Sequence, residues 1–393
     1  MPRSSPHLFG RSSRTDASVT QGNEGTSNST PGSQVETTRG VGSFLHTVVT
    51  PIRETYTQVT GQIEVKKEPI SRKFRQYNDH PQYFSNAFSH KTNDWAPVSY
   101  QTLNKKFNGH QLRTLRVLTY NIWFREDENF DARCDSIIKI LKESRADIIG
   151  LQEVTPRFVR KLAACSWVQD NYYVTDPTGN SFCGYGNIIL TLLRPSCFYT
   201  KPLESMMGRQ LVMGEFILSN PVSKTLEILR VGVVHMESLS KSSSVRRDQF
   251  RQIYPMLANP VPGYKYVHSI LMGDFNLDPK SSEEVESVQA ELGQNFMDCW
   301  SACHPDDGGC TRFVNYPEEG KEPVRYDRIL LNSKRNRITP VHINTFGETA
   351  IDMVSGSDRY DTVFPSDHLG LVCDFEVDFK PKDRERSASD VPS

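Results

Sequence analysis

The sequence predicts an α/β fold, a four-layered α-β-β-α sandwich in which two packed mixed sheets carry helices on their outer faces. Three observations lead there. Between residues 115 and 379, strand-like runs recur, mostly apolar on one alternating face, with only a few long helical patterns among them. The first of these runs open as a β-α-β unit. A chain of 393 residues with mean hydropathy −0.52 holds one large core plus a polar tail, and shows no repeat at a fixed period.

Taken in order, residues 1 to about 42 are rich in Ser, Thr, Gly, Asn and Gln and have almost no large apolar side chain, so they are read as a disordered tail. Phe44, Leu45, Val48, Val49 and Ile52 suffice for a transient helix but not a core, and the stretch to Ile70 is read as linker. Rising aromatic density (Tyr77, Tyr83, Phe84, Phe88, Trp95) marks the start of packed chain. The expected division is 1–73 tail and linker, 74–380 folded domain, 381–393 tail. Strands are expected over Leu115–Phe124, Ala146–Glu153, Ile188–Leu193, Gln210–Ser219, Thr225–Glu237, Tyr266–Phe275, Arg325–Leu331, Ile338–Phe346 and His368–Val377. Helices are expected over Cys134–Ser144, with Ile137, Ile138 and Leu141 on one face, and over Val245–Leu257 and Ser281–Leu292.

A net charge of −1 and pI near 6.8 exclude a globally basic polyanion binder, leaving local patches for any such contact. No apolar run is long enough to cross a bilayer as a helix, so no membrane partner is expected. The 8 cysteines are scattered and are read as reduced packing thiols. Cys299, Cys303, Cys310 and His304 lack the second close pair of a zinc cluster. Arg3, Arg11 and Arg14 among serines carry a faint transit-peptide pattern, weighed against a plain polar tail. Val65-Lys66-Lys67-Glu68 has the apolar-Lys-x-acid form of a modifier-conjugation site at Lys66, a short pattern that charged linkers also produce at random.

Four short blocks carry the chemistry, each at the end of an apolar run: Thr119-Tyr120-Asn121, Leu151-Gln152-Glu153, Gly273-Asp274-Phe275-Asn276 and Ser366-Asp367-His368. Together they supply hard oxygen ligands for Mg²⁺ or Mn²⁺ and an imidazole to handle protons, the residue set of a hydrolytic metal site. Glu153 is the candidate metal ligand, supported by Asn121, and Asp367 is a second. Strand alternation places Asp274 and Asn276 on one side, where both reach one phosphate or one water. Asp327 is read as the carboxylate that orients His368, the alternative being an ion pair with Arg325 or Arg328. A fifth block, His235-Met236-Glu237-Ser238, followed by Arg246 and Gln249, adds hydrogen-bond donors from His235 and Ser238 for phosphoryl oxygens.

These blocks, with Gly184-Tyr185 and Tyr326-Asp327-Arg328, resemble the endonuclease/exonuclease/phosphatase superfamily of deoxyribonuclease I-like fold over about residues 115–377, and within it the 5′-tyrosyl-DNA phosphodiesterases. The resemblance implies hydrolysis of the bond between a DNA 5′ end and the tyrosine of a trapped type II topoisomerase, hence DNA repair. It also implies a nuclear location with a cytoplasmic pool allowed, and a monomer. In its terms Glu153 holds Mg²⁺, for which Mn²⁺ can substitute. Asp274 and His368 position or activate water, while Asn121, Asn276, His235, Ser238 and Arg246 serve the substrate phosphate. Two departures stand out: Asp278-Pro279 where relatives tend to have Arg then Asp, and Tyr120 where the family often has Trp. Other substrates of the same fold (poly(A), abasic DNA, sphingomyelin, inositol phosphates) and a non-enzymatic binding module are the competing readings.

Overall fold

The computed structural model describes residues 56–59, 62–65, 86–98, 107–182, 184–277, 295–351 and 362–379. The tails, Lys66, Asp278 and the expected helix Ser281–Leu292 lie outside them. Strands β1 (Tyr56–Val59) and β2 (Gln62–Val65) pair antiparallel inside the stretch read as linker. Strands β3 (Asn86–Ser89) and β4 (Asp94–Pro97) pair next, with Phe88 and Trp95 edge to face.

The β-α-β opening is present as β5 (Thr114–Asn121), α1 (Phe130–Ser144) and β6 (Ile148–Val154), with β5 and β6 parallel. Helices α2 (Pro156–Ala163) and α3 (Ser166–Asn171) follow. Next come β7 (Tyr173–Val174), β8 (Gly186–Thr191), β9 (Cys197–Pro202), β10 (Gln210–Asn220) and β11 (Thr225–His235). Helix α4 (Ser243–Ala258) precedes β12 (Val267–Asp274). After β13 (Met297–Asp298) and α5 (Cys299–Cys303) come β14 (Asp327–Asn332), β15 (Ile338–Phe346) and β16 (Gly370–Val377).

Two mixed sheets result: eight strands in the order β15-β16-β5-β6-β8-β7-β3-β4, and six in the order β13-β14-β12-β11-β10-β9. Strand alternation fills the layers. Inward residues of both sheets, among them Val117, Ile148, Leu371, Phe216, Val231, Met272 and Ile329, form the central core. Their outward neighbours Leu118, Ile149 and Ile188 pack under α1 and α2, against Ile137, Leu141, Phe158 and Leu162. On the other side Leu211, Val234 and Leu271 meet Phe250, Ile253 and Leu257 of α4. At Gly150 the two sheets pack closely, since an added Cβ would stand 2.4 Å from a Val233 methyl.

The strand and helix elements found without counterpart in the sequence reading are short: β1 to β4, β7, β9, β13, α2, α3 and α5. Runs of two to eight residues carry too few periods to stand out. Helix α2 did have a readable signal, since Thr155 caps it by accepting from Phe158 N (3.2 Å) and Pro156 opens it.

Candidate active site

Topology gathers the blocks. The parallel strands β5 and β6, and β11 and β12, all end at one edge, while β14 and β16 run antiparallel to their neighbours and begin there. Asn121, Glu153, His235 and Asp274 therefore come from strand ends, and Asp327 from a strand start; His368 sits just before β16, bridged to Arg312. Register puts Asp274 opposite both His235 and Asp327.

Asp274 is at the centre and almost fully buried. Its Oδ2 accepts from Asn121 Nδ2 (3.0 Å) and its Oδ1 from the backbone N of Asn276 (2.9 Å). His368 Nε2 lies 3.7 Å from Oδ2, and His235 Nε2 lies 3.4 Å from it. His368 Nδ1 donates to Asp327 Oδ2 (2.8 Å), so Asp327 orients it as expected. Burial opposes a charge on His368, but Asp327, Asp274 and Asp367 outweigh it and push its pKa up to about 10, an imidazolium at neutral pH. His235 is the opposite case: burial and the positive charges of Arg209 and His368 hold its pKa well below the ordinary value. Arg209 Nη1 can only donate, and it meets His235 Nδ1 at 2.9 Å. The hydrogen of the neutral ring is therefore on Nε2, facing Asp274.

Glu153 stands at φ 57° where the pairing of β6 with β8 slips, so the bulge turns its carboxylate into the site. Its Oε2 accepts from Phe124 N (3.0 Å), and Oε1 is 3.9 Å from His235 Nε2. Burial and Asp367 raise its pKa, and burial likewise raises that of Asp274 against the pull of His368. Such uncompensated negative charge fits a cation, as do the oxygens Asp327 Oδ1 and Asp367 Oδ1, buried with no hydrogen-bond partner. Among the described residues no three His, Cys, Asp or Glu side chains could hold an ion by themselves. A Mg²⁺ that keeps several waters and one or two carboxylates suits that donor set.

Several expected positions are corrected by the structure. Asn276 does not follow strand alternation: β12 ends at Asp274, and Asn276 turns at φ 49° with Nδ2 on Met236 O (3.2 Å). Arg246 is fully buried and donates from Nη1 to Glu237 O (2.7 Å) and Leu239 O (2.8 Å), so it braces the loop after β11 instead of facing a phosphate. Gln249 completes that brace on Glu237 N (3.0 Å). Asp367 commits Oδ2 to Arg312 (3.0 Å), leaving only Oδ1 for a metal. Tyr120 packs in the outer core against Phe346 at 4.9 Å, where an aromatic ring suffices.

Three residues escaped the sequence reading. Arg209 links His235 to Ser238 Oγ (2.8 Å) and lies over the Tyr185 ring at 5.7 Å; its loop is held by the Glu237 carboxylate on Met206 N (3.0 Å). Arg133, 2% exposed, ties Ile122 O, Trp123 O and Pro365 O together. Thr311 Oγ1 accepts from Asp327 N (3.1 Å) and seats that strand start.

A fold and site of this kind define the endonuclease/exonuclease/phosphatase family, and the chain belongs to it: the Endonuclease/Exonuclease/phosphatase family model matches residues 118–368. Among curated proteins it is similar to tyrosyl-DNA phosphodiesterase 2 of Xenopus laevis, 24% identical over 279 residues that cover 66% of each chain. The rat protein of the same name, from Rattus norvegicus, is 22% identical over 283 residues, 67% of each chain. The matched region thus spans about two thirds of the length of these relatives. Among solved structures, humanized D. rerio TDP2 shares the fold with TM-score 0.54 at 22% identity, covering 68% of this chain and 100% of that one. D. rerio TDP2 complexed with a single-strand DNA product gives TM-score 0.53 at 22% identity, covering 67% of this chain and 99% of that one.

Proposed function

We propose that the chain is a divalent-metal-dependent phosphodiesterase that hydrolyses the 5′-phosphotyrosyl bond between a DNA end and a trapped type II topoisomerase, leaving a 5′ phosphate and tyrosine. The observation that carries the reading is the pair of histidines on Asp274, one cationic and one neutral, each with Nε2 turned to the same carboxylate. The tyrosyl substrate is supported by the names of the relatives and by the resemblance over His235-x-Glu237-Ser238.

In this reading Asp274, held by Asn121 and the Asn276 backbone, accepts the proton of the attacking water. His368 stays an imidazolium through Asp327 and donates from Nε2 to a phosphoryl oxygen. Neutral His235 donates from Nε2, and Arg209 fixes both its tautomer and the Ser238 hydroxyl beside it. Glu153, with Asp367 Oδ1 as a second oxygen, would hold Mg²⁺ or Mn²⁺; the bound ion supplies charge neutralisation and Lewis-acid polarisation of the phosphoryl group. In the same reading the catalytic domain spans residues 74–380 and acts as a monomer in the nucleus, with a cytoplasmic pool allowed, and Lys66 is a candidate conjugation site.

Incubation of the purified protein with a 5′-tyrosyl oligonucleotide and Mg²⁺ is expected to release a 5′-phosphorylated product, and neither Glu153→Ala nor His368→Ala is expected to do so. Cleavage of poly(A), abasic DNA or sphingomyelin without cleavage of the tyrosyl substrate would overturn the reading in favour of another member of the same fold.

A further inference from the structure

The strands that deliver His235, Asp274 and Asp327 to the site have their other ends together on the opposite edge of the smaller sheet. There the turn between β10 and β11, the residues before β12 and those after β14 are neighbours. Lys265 N donates to Leu226 O (2.9 Å), and Ile228 N donates to Tyr266 O (2.9 Å). The length of β12 places this edge roughly 25 Å from Asp274.

A buried pair with no part in the chemistry of the site organises these loops. Glu227 and His268 are both fully buried, and Glu227 Oε2 meets His268 Nε2 at 2.8 Å. His268 Nδ1 accepts from Lys334 N (3.2 Å), so the ring hydrogen stands on Nε2 and is donated to Glu227. Glu227 Oε1 accepts from Asn220 Nδ2 (3.1 Å), and Asn220 Oδ1 in turn accepts from Val222 N (3.0 Å) and Ser223 N (3.0 Å). Two of the three loops are thereby fixed from below, and the Tyr266 ring of the third meets the His268 ring edge on, with centroids 6.4 Å apart.

What the loops present is positive charge. Lys224, Lys265 and Arg335 are exposed, and Lys334 is half-buried. Lys265 Nζ and Arg335 Cζ each lie 5.6 Å from the centroid of the Tyr266 ring, so two like charges share one ring. Among the described residues none of the four is ion-paired, and the Glu227 carboxylate beneath them is engaged by His268 and Asn220. In a chain of net charge −1 this is a local concentration of like charge that an anionic partner would relieve. Val222, 54% exposed, and Leu226, 37% exposed, stand on the same edge. A nucleic-acid backbone makes no use of such apolar side chains, whereas an acidic peptide that also carries apolar residues uses both.

We propose that this edge is a docking surface for an acidic segment of a partner protein, with carboxylates on Lys224, Lys265, Lys334 and Arg335 and an apolar side chain on Leu226. It goes beyond the phosphodiesterase reading and does not depend on it. Docking here holds the chain to a partner while the opposite edge, with Asp274 and the histidines, stays open.

A fluorescent peptide of repeated Glu-Glu-Leu, titrated with the full chain and followed by anisotropy, tests the surface. Binding is expected, weakening as salt rises. Replacing Glu by Gln in the peptide is expected to abolish it, and replacing Leu by Gly to weaken it about fivefold. Lys265→Ala combined with Arg335→Ala is expected to weaken binding about tenfold, with melting temperature and hydrolysis of the 5′-tyrosyl oligonucleotide unchanged. Lys224→Ala, on a separate loop, is expected to act in the same direction. Equal binding by wild type and the double variant overturns the proposal, as does equal binding of the Glu and Gln peptides. A single-stranded oligonucleotide or a phosphatidylserine vesicle that binds in place of the peptide, and is lost in the double variant, also overturns it by assigning the edge to another partner. Charge-dependent peptide binding by a protein that leaves the tyrosyl substrate intact would retain the surface and remove only the tyrosyl reading.

Discussion

Asp327 shows how one buried carboxylate sets the state of its neighbour. It is fully buried, seated by Thr311 and bonded to His368, so Asp327→Asn keeps the shape of the site while removing the charge that holds the imidazolium. The expected outcome is a fall in kcat on the order of 10⁴-fold, by analogy with carboxylate-to-amide changes behind a catalytic histidine, with KM little altered. Steady-state kinetics on the tyrosyl oligonucleotide checks it, and a fall in substrate affinity alone would count against the role. At this scale most of the site was legible: Asn121, Glu153, His235, Asp274, Asp327 and His368 sit in short polar blocks at strand ends, where buried strands rarely spend polar side chains. Arginines were the blind spot. Arg246 beside a histidine motif reads as a phosphate ligand, and Arg133 and Arg209 stand in no motif at all. What decides each is the set of backbone carbonyls or ring nitrogens it meets, which only the fold supplies.

Between β7 and β8 the chain turns on Asp176. Its Oδ1 accepts from Thr178 N (2.8 Å), Thr178 Oγ1 (2.7 Å) and Gly179 N (2.8 Å), and its Oδ2 from Ser181 N (2.7 Å). Burial works against the charge, but these donors win and hold the carboxyl below its ordinary range. A depressed native value stabilises the fold above the unfolded pKa, near 3.9 for Asp, and that benefit is lost as pH falls through the native value. Asp176→Asn is expected to lower the melting temperature at pH 6, and the gap to wild type is expected to shrink below about pH 4. Thermal melts at the two pH values check it; a constant gap would show that charge plays no part. Long elements such as β10, β11, β15 and α4 were legible from period alone. The bulge at Glu153 and the turn at Asn276 were not, because a slip of register leaves no mark on hydrophobic alternation.

For the whole molecule, the two-sheet sandwich could be anticipated from its many alternating strands, whereas the order of strands within each sheet could not, since pairing partners lie far apart in sequence. Gly150 leaves no room between the sheets, facing the stiff Val233 and the end of Met272. Gly150→Ala is expected to destabilise by about 1–3 kcal/mol through overpacking, read as a lowered denaturant midpoint with an unchanged slope. Strand β16 has a second consequence. It pairs with β5 across most of the domain's length, and His368 directly precedes it. The larger sheet therefore cannot close during synthesis until the last part of the domain has left the ribosome, and this high contact order makes closure a late event. The same residues that finish the sheet bring in His368, so a nascent or prematurely terminated chain presents Asp274 and His235 without the imidazolium that the proposed reaction requires.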